Sequence, residues 1–102
     1  IATENLDAIV LAAAGVKRLK LENRITQYLD INIMLPAAGQ GALCVEIRSD
    51  DPDTAALVGP LDHAPTRTVI AGERAFLHHL GGSCQIPIAA FGEITRKRFV
   101  LR

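Results

Sequence analysis

Apolar and polar positions divide the chain into three stretches, punctuated by Pro36, Gly39, Gly41, Pro52, Gly59-Pro60, Pro65, Gly81-Gly82 and Pro87. The first opens with Asp7 and the apolar run Ala8-Ile9-Val10-Leu11-Ala12, which predicts a short strand buried on both faces of a parallel sheet. Val16 and Leu19 fit one short helix and Leu21, Ile25, Tyr28 and Leu29 a second, because the two sets share no stripe at 3.6 residues per turn. Strand followed by helix is half of a βαβ unit. The second stretch opens with Leu35-Pro36-Ala37-Ala38-Gly39-Gln40-Gly41, and the alternation from Ala42 to Arg48 then predicts a strand with one wetter face. Asp51-Pro52-Asp53 supplies a cap, an early proline and a favourable first-turn charge for a helix reaching about Val58.

The third stretch has a cap candidate at Asp62 or His63, Pro65 near the first helical position, and a helix through Leu80 with the stripe Val69, Ile70, Phe76, Leu77 and Leu80. Beyond the loop Ser83-Cys84-Gln85, a strand from Ile86 to Ile94, a turn at Thr95-Arg96-Lys97-Arg98 and a returning strand at Phe99-Val100-Leu101 are expected. This order predicts an α+β unit, one helix laid on an antiparallel sheet.

Composition narrows the function classes. The 102 residues are 49% hydrophobic and 22% charged, with 11 basic and 11 acidic side chains, the profile of soluble globular domains. A neutral balance and 4% aromatics argue against nucleic acid, which needs a basic face or a stacking platform. The longest apolar stretch, Ala8 to Val16, is about half of the ~18 residues that cross a bilayer. Ile1 in first place, with no initiator Met and no leader pattern, reads as an excerpt of a longer chain. Two cysteines, Cys44 and Cys84, argue against a disulfide scaffold and favour a reducing compartment.

Four features carry candidate chemistry. Lys17 and Arg18 fall in the first turns of the expected helix, where a bound anion would offset the unfavourable macrodipole; on spacing alone, a solvated face shared with Lys20 and Arg24 is the more common reason for such a charge run. Gln40 stands between two glycines, a setting for a turn with positive φ and close ligand approach, or for a plain connector. Cys84 follows two glycines in a loop, where a thiol is reachable and suited to covalent attachment; Cys44 alternates within a strand and reads as a small core hydrophobe. Glu73 interrupts the stripe of its helix and reads as a buried acceptor for an arginine or for loop amides. Adjacent His78 and His79 diverge by roughly 100 degrees on a helix and cannot share a metal ion; none is expected. A Cys84–His79 nucleophile pair lacks a third orienting group.

Asp7 to Leu19, Leu35-Pro-Ala-Ala-Gly-Gln-Gly-Ala-Leu43, Gly72-Glu-Arg-Ala75 and Leu80-Gly-Gly-Ser-Cys-Gln-Ile-Pro-Ile88, in this order, closely resemble the porphobilinogen deaminase (hydroxymethylbilane synthase) family. Gly81, where an acidic residue is frequent, and Ser83, for a common glycine, depart from its pattern but leave the thiol. The resemblance implies a cytoplasmic, monomeric transferase, or a plastid one if the source is a plant, polymerising porphobilinogen into the linear tetrapyrrole hydroxymethylbilane with release of ammonia. The fold implied is α/β plus α+β. Residues 1–36 would end a second, periplasmic-binding-protein-like α/β domain, 37–60 would be the loop, strand and helix returning to the first, and 61–102 would begin a small C-terminal α+β domain. By resemblance, Cys84 carries a dipyrromethane cofactor through a thioether, Arg18 binds pyrrole carboxylates, Gln40 lines the cleft and Ala12 offers a backbone position near the pyrroles. The proton-transfer carboxylate and most other arginines would precede Ile1, so the segment alone is expected to be inactive. The competing expectations are a non-catalytic anion-binding module of periplasmic-binding-protein type and a thiol hydrolase using Cys84 and His79.

Overall fold

A computed structural model describes residues 5–81 and 87–102. The Cys84 loop and the first residue of the expected Ile86–Ile94 strand lie outside them. Among the described residues five elements are formed: α1 (Ala13–Arg18), α2 (Pro52–Val58), α3 (Ala64–His79), β1 (Gly92–Thr95) and β2 (Arg98–Leu101), with 3-10 turns at Glu22–Arg24 and Gly59–Leu61.

The helices of the second and third stretches form where local chemistry starts and stops them. Asp51 caps α2: its carboxylate accepts the Thr54 amide at 2.9 Å and the Thr54 hydroxyl at 2.7 Å. The amide bond first, and the hydroxyl bond second, lower the Asp51 pKa below its ordinary value. A group with a depressed folded-state pKa stabilises above its unfolded value and loses that contribution as pH falls through the folded one. Loss of the start of α2 is therefore expected on acidification below the usual aspartate range. Asp51→Ala should remove this acid dependence and speed Thr54 amide exchange several-fold at neutral pH; unchanged exchange in both conditions would contradict it.

The strongest packing lies between α3 and the β1–β2 hairpin. His63 is the N-cap of α3, Pro65 stands in its first turn, and His78 and His79 lie in its last. The antiparallel register runs from Gly92↔Leu101 to Thr95↔Arg98, closed by Arg96 and Lys97, both at positive φ, as a two-residue hairpin turn requires. Phe99 lies across the helix: a Cβ on Gly72 would clash with its ring, and one on Gly92 would stand 3.0 Å from both Phe99 and Val69. Glycine at mid-helix, which costs about 1 kcal/mol relative to alanine, is explained by this close approach. The α+β unit is thus formed as expected. Its first strand is shorter, because Ala89 instead bridges antiparallel to Ala37 and the Ala90 amide donates to the Pro36 carbonyl at 3.2 Å.

The first two stretches depart from expectation. Asp7–Ala12 and Ala42–Arg48 form no strand, and no periplasmic-binding-protein-like sheet exists among the described residues. A strand needs a neighbour to take its amides and carbonyls, and none of the described segments pairs with either of these two. Their apolar side chains are correspondingly outside: Leu43 is 97% exposed, and Cys44 is exposed rather than a core residue. The second helix of the first stretch reduces to the 3-10 turn Glu22–Arg24, with Ile25 in extended backbone directly after it. Lys20 at φ 55° breaks the path from α1, and the β-branched pair Ile25-Thr26 disfavours continuation where no tertiary face supports it. No described helix is long and apolar enough to cross a membrane.

Candidate functional site

A groove of about 910 Å³ lies between the segment leading into α1 and the chain from Leu21 to Gln40. Ala12 and Gln40 stand on its wall together with Val16, Arg24, Tyr28 and Pro36. Ala12 is the N-cap of α1, and its carbonyl accepts the Gly15 and Val16 amides. What it can present to the groove is its own amide, which donates to no carbonyl among the described residues. Tyr28 is braced by the Lys17 ammonium, 5.2 Å from the ring centroid, a cation–π contact worth about 0.5–1 kcal/mol at an exposed site.

Gln40 owes its placement to two overlapping turns. Its amide donates to the Ala37 carbonyl at 2.9 Å, and the Ala42 amide donates to the Gly39 carbonyl at 3.3 Å. Gly39 and Gly41, third in each turn, have φ of 78° and 85°, a backbone that a side chain would strain. The two glycines around Gln40 therefore act as the sequence predicts.

Beneath this turn lies Glu73, 4% exposed on α3. One carboxylate oxygen accepts the Gly39 amide at 2.7 Å and the other accepts the Gly92 amide at 2.6 Å. Of the two acceptor roles open to it on sequence, it takes loop amides. A buried carboxylate is tolerated only with such partners.

Arg18 is placed differently from expectation. The strand expected to precede α1 does not form and the helix has only six residues, so Lys17 and Arg18 lie in its last turn, where a cation is favourable without any bound anion. Arg18 does not line the groove, whereas Arg24 does. The sequence marks Arg24 only as a solvating charge, because its spacing carries no signal that sets it apart. The geometry thus removes the basis of the anion-module reading, a basic pair at a helix N-terminus. Cys84, and with it any pairing to His79 in the last turn of α3, lies outside the described residues. Among the described residues no cluster of three or more His, Cys, Asp or Glu side chains could hold a metal ion.

Residues 1–56 match the family model described as "Porphobilinogen deaminase, dipyromethane cofactor binding domain", and residues 66–102 match "Porphobilinogen deaminase, C-terminal domain". The chain belongs to the porphobilinogen deaminase family. Curated relatives named porphobilinogen deaminase include one from Brevibacillus brevis, 51% identical over 94 residues, covering 92% of this chain and 30% of the relative. Another, from Chromobacterium violaceum, is 56% identical over 88 residues, covering 86% and 28%. A third, from Euglena gracilis and named as chloroplastic, is 50% identical over 92 residues, covering 86% and 19%. The chain thus spans under a third of the length of the curated relatives it matches. Ala12, Arg18 and Gln40 fall in the cofactor-binding match, and Glu73 and Cys84 in the C-terminal one.

Proposed function

We propose that the chain is part of a transferase that joins porphobilinogen units into hydroxymethylbilane with loss of ammonia, on a dipyrromethane primer held by Cys84 through a thioether. The observation that carries this reading is the seam between the two family matches. Pro36 and Ala37 line the groove beside Gln40; the Pro36 carbonyl accepts the Ala90 amide, Ala37 pairs antiparallel with Ala89, and Cys84 precedes Ala89 by only five residues in sequence. A covalent anchor on the C-terminal side would thereby serve a binding surface on the other.

The groove fits such a group chemically. Its volume is within the ~300–1,000 Å³ of small-molecule sites, and a mostly apolar wall carries the Arg24 guanidinium and the Gln27 and Gln40 amides as well as the Asp7 carboxylate, so Arg24 is the group there suited to a pyrrole carboxylate. The bound dipyrromethane supplies the pyrrole carbon to which the next unit is added. In this reading Arg24 on the groove wall, and Arg18 outside it, hold side-chain carboxylates of the bound chain, the Gln40 side chain and the Ala12 amide orient the rings, and the apolar wall excludes water around them. Residues 1–36 end one domain, 37–60 return to another, and 61–102 begin the C-terminal unit. The apolar surfaces of Asp7–Ala12 and Ala42–Arg48 are covered by sheet neighbours elsewhere in the full-length, monomeric protein, in the cytoplasm or, for a plant source, a plastid.

Intact-mass spectrometry of the native full-length protein tests this. A mass excess of two pyrrole units, localised to Cys84 by peptide fragmentation, is expected in protein that releases ammonia from porphobilinogen. An unmodified Cys84 in active protein would overturn the assignment.

A further inference from the structure

The Glu73 carboxylate joins segments that lie 34 residues before it and 19 after it, through the Gly39 and Gly92 amides. With the Gly39 carbonyl taken by the Ala42 amide, both polar groups of Gly39 are committed, and its neighbour is Gln40. On the other side, Gly92 is buried at the head of β1 against Val69 and Phe99. If Glu73 only filled space, an apolar side chain of similar volume would do so at no penalty. A carboxylate taking one amide on each oxygen imposes direction as well, since charge-assisted bonds at these lengths hold their geometry.

We propose that Glu73 is a positioning residue for the groove: it fixes the Gln40 turn against the α3–hairpin unit, so that the C-terminal side of the chain sets what Gln40 offers a bound pyrrole. The inference rests on the proposed function only for the identity of the ligand. The clasp itself is a matter of two hydrogen bonds.

The test uses the full-length protein as Glu73→Gln, Gln40→Ala and the double variant, with two readouts. Glu73→Gln keeps the volume but replaces one acceptor oxygen with a group that cannot accept an amide. Hydrogen exchange over residues 36–42 and 88–93 is expected to accelerate about 10-fold in at least one segment, as loss of one hydrogen bond to a charged group implies. The KM for porphobilinogen is expected to rise about 10-fold in each single variant, with kcat within about 2-fold, and no further in the double variant, because both changes remove one interaction. Single effects that multiply in the double variant, or an effect of Glu73→Gln with none of Gln40→Ala, would reduce Glu73 to a structural brace and overturn the proposal. So would unchanged exchange in both segments, a result that stands whether or not the protein consumes porphobilinogen. Should Glu73→Gln not accumulate folded, Glu73→Asp keeps both oxygens one methylene short, and the same cycle with Gln40→Ala is read on it.

Discussion

Full-length protein carrying Cys84→Ser is expected to lack the two-pyrrole mass increment and to turn over porphobilinogen at below about 1% of the wild-type rate. The thiol is the one soft nucleophile the sequence places in a loop instead of an element, and a thioether, once formed at an electrophilic carbon, resists hydrolysis through repeated turnovers. A serine hydroxyl is a far weaker nucleophile near pH 7, where a thiol already supplies a few per cent thiolate. Size and polarity change little, so a loss reports on the sulfur and not on packing. Cys44→Ser is the control. Cys44 is exposed and outside the groove wall, so its replacement should leave both the adduct and the rate intact. Normal adduct content and turnover in Cys84→Ser, or equal losses in the two variants, would remove the anchor from position 84.

Sequence and structure agree where the signal is local. The Asp51 cap, the limits of α3, the Arg96-Lys97 turn and the glycines around Gln40 each follow from groups a few residues apart, and all are found. Glu73 was legible as a buried acceptor because a charge interrupting an apolar stripe must be satisfied. Its partners were not legible, since nothing in the order of residues says that Gly39 and Gly92 converge on one carboxylate. The two missing strands fail for the opposite reason. The apolar run Asp7–Ala12 and the alternation Ala42–Arg48 report that those segments are meant to be covered, whereas a strand also requires a neighbour of matching register, which none of the described segments supplies. Arg18 follows from the same failure: its expected place near the start of a helix depends on a preceding strand that does not form.

The 102-residue chain by itself is expected to show no cooperative thermal transition, to bind a hydrophobic dye and to release no ammonia from porphobilinogen. Its accessible surface is 9101 Å², against roughly 5,600 Å² for a folded monomer of its mass. Its radius of gyration is 16.9 Å, against about 13 Å for a compact domain of this length. The surplus of roughly 3,500 Å² exceeds a standard protein–protein interface of ~1,600 Å². It is substantially apolar, since Leu43 and Leu57 are 97% and 79% exposed and Ala90 is the only buried hydrophobic residue among those described. Net stability of ~5–15 kcal/mol is a small difference between large terms, and a chain with so little apolar burial has no surplus to supply it. What order remains should concentrate where the packing does, so α3 and the hairpin are expected to hold the slowest-exchanging amides while Asp7–Ala12 and Ala42–Arg48 exchange at nearly unfolded rates. A sharp two-state melt with dispersed amide resonances from both of those segments would show that the chain closes its own core, and the assignment of its apolar faces to the rest of the polypeptide would fall.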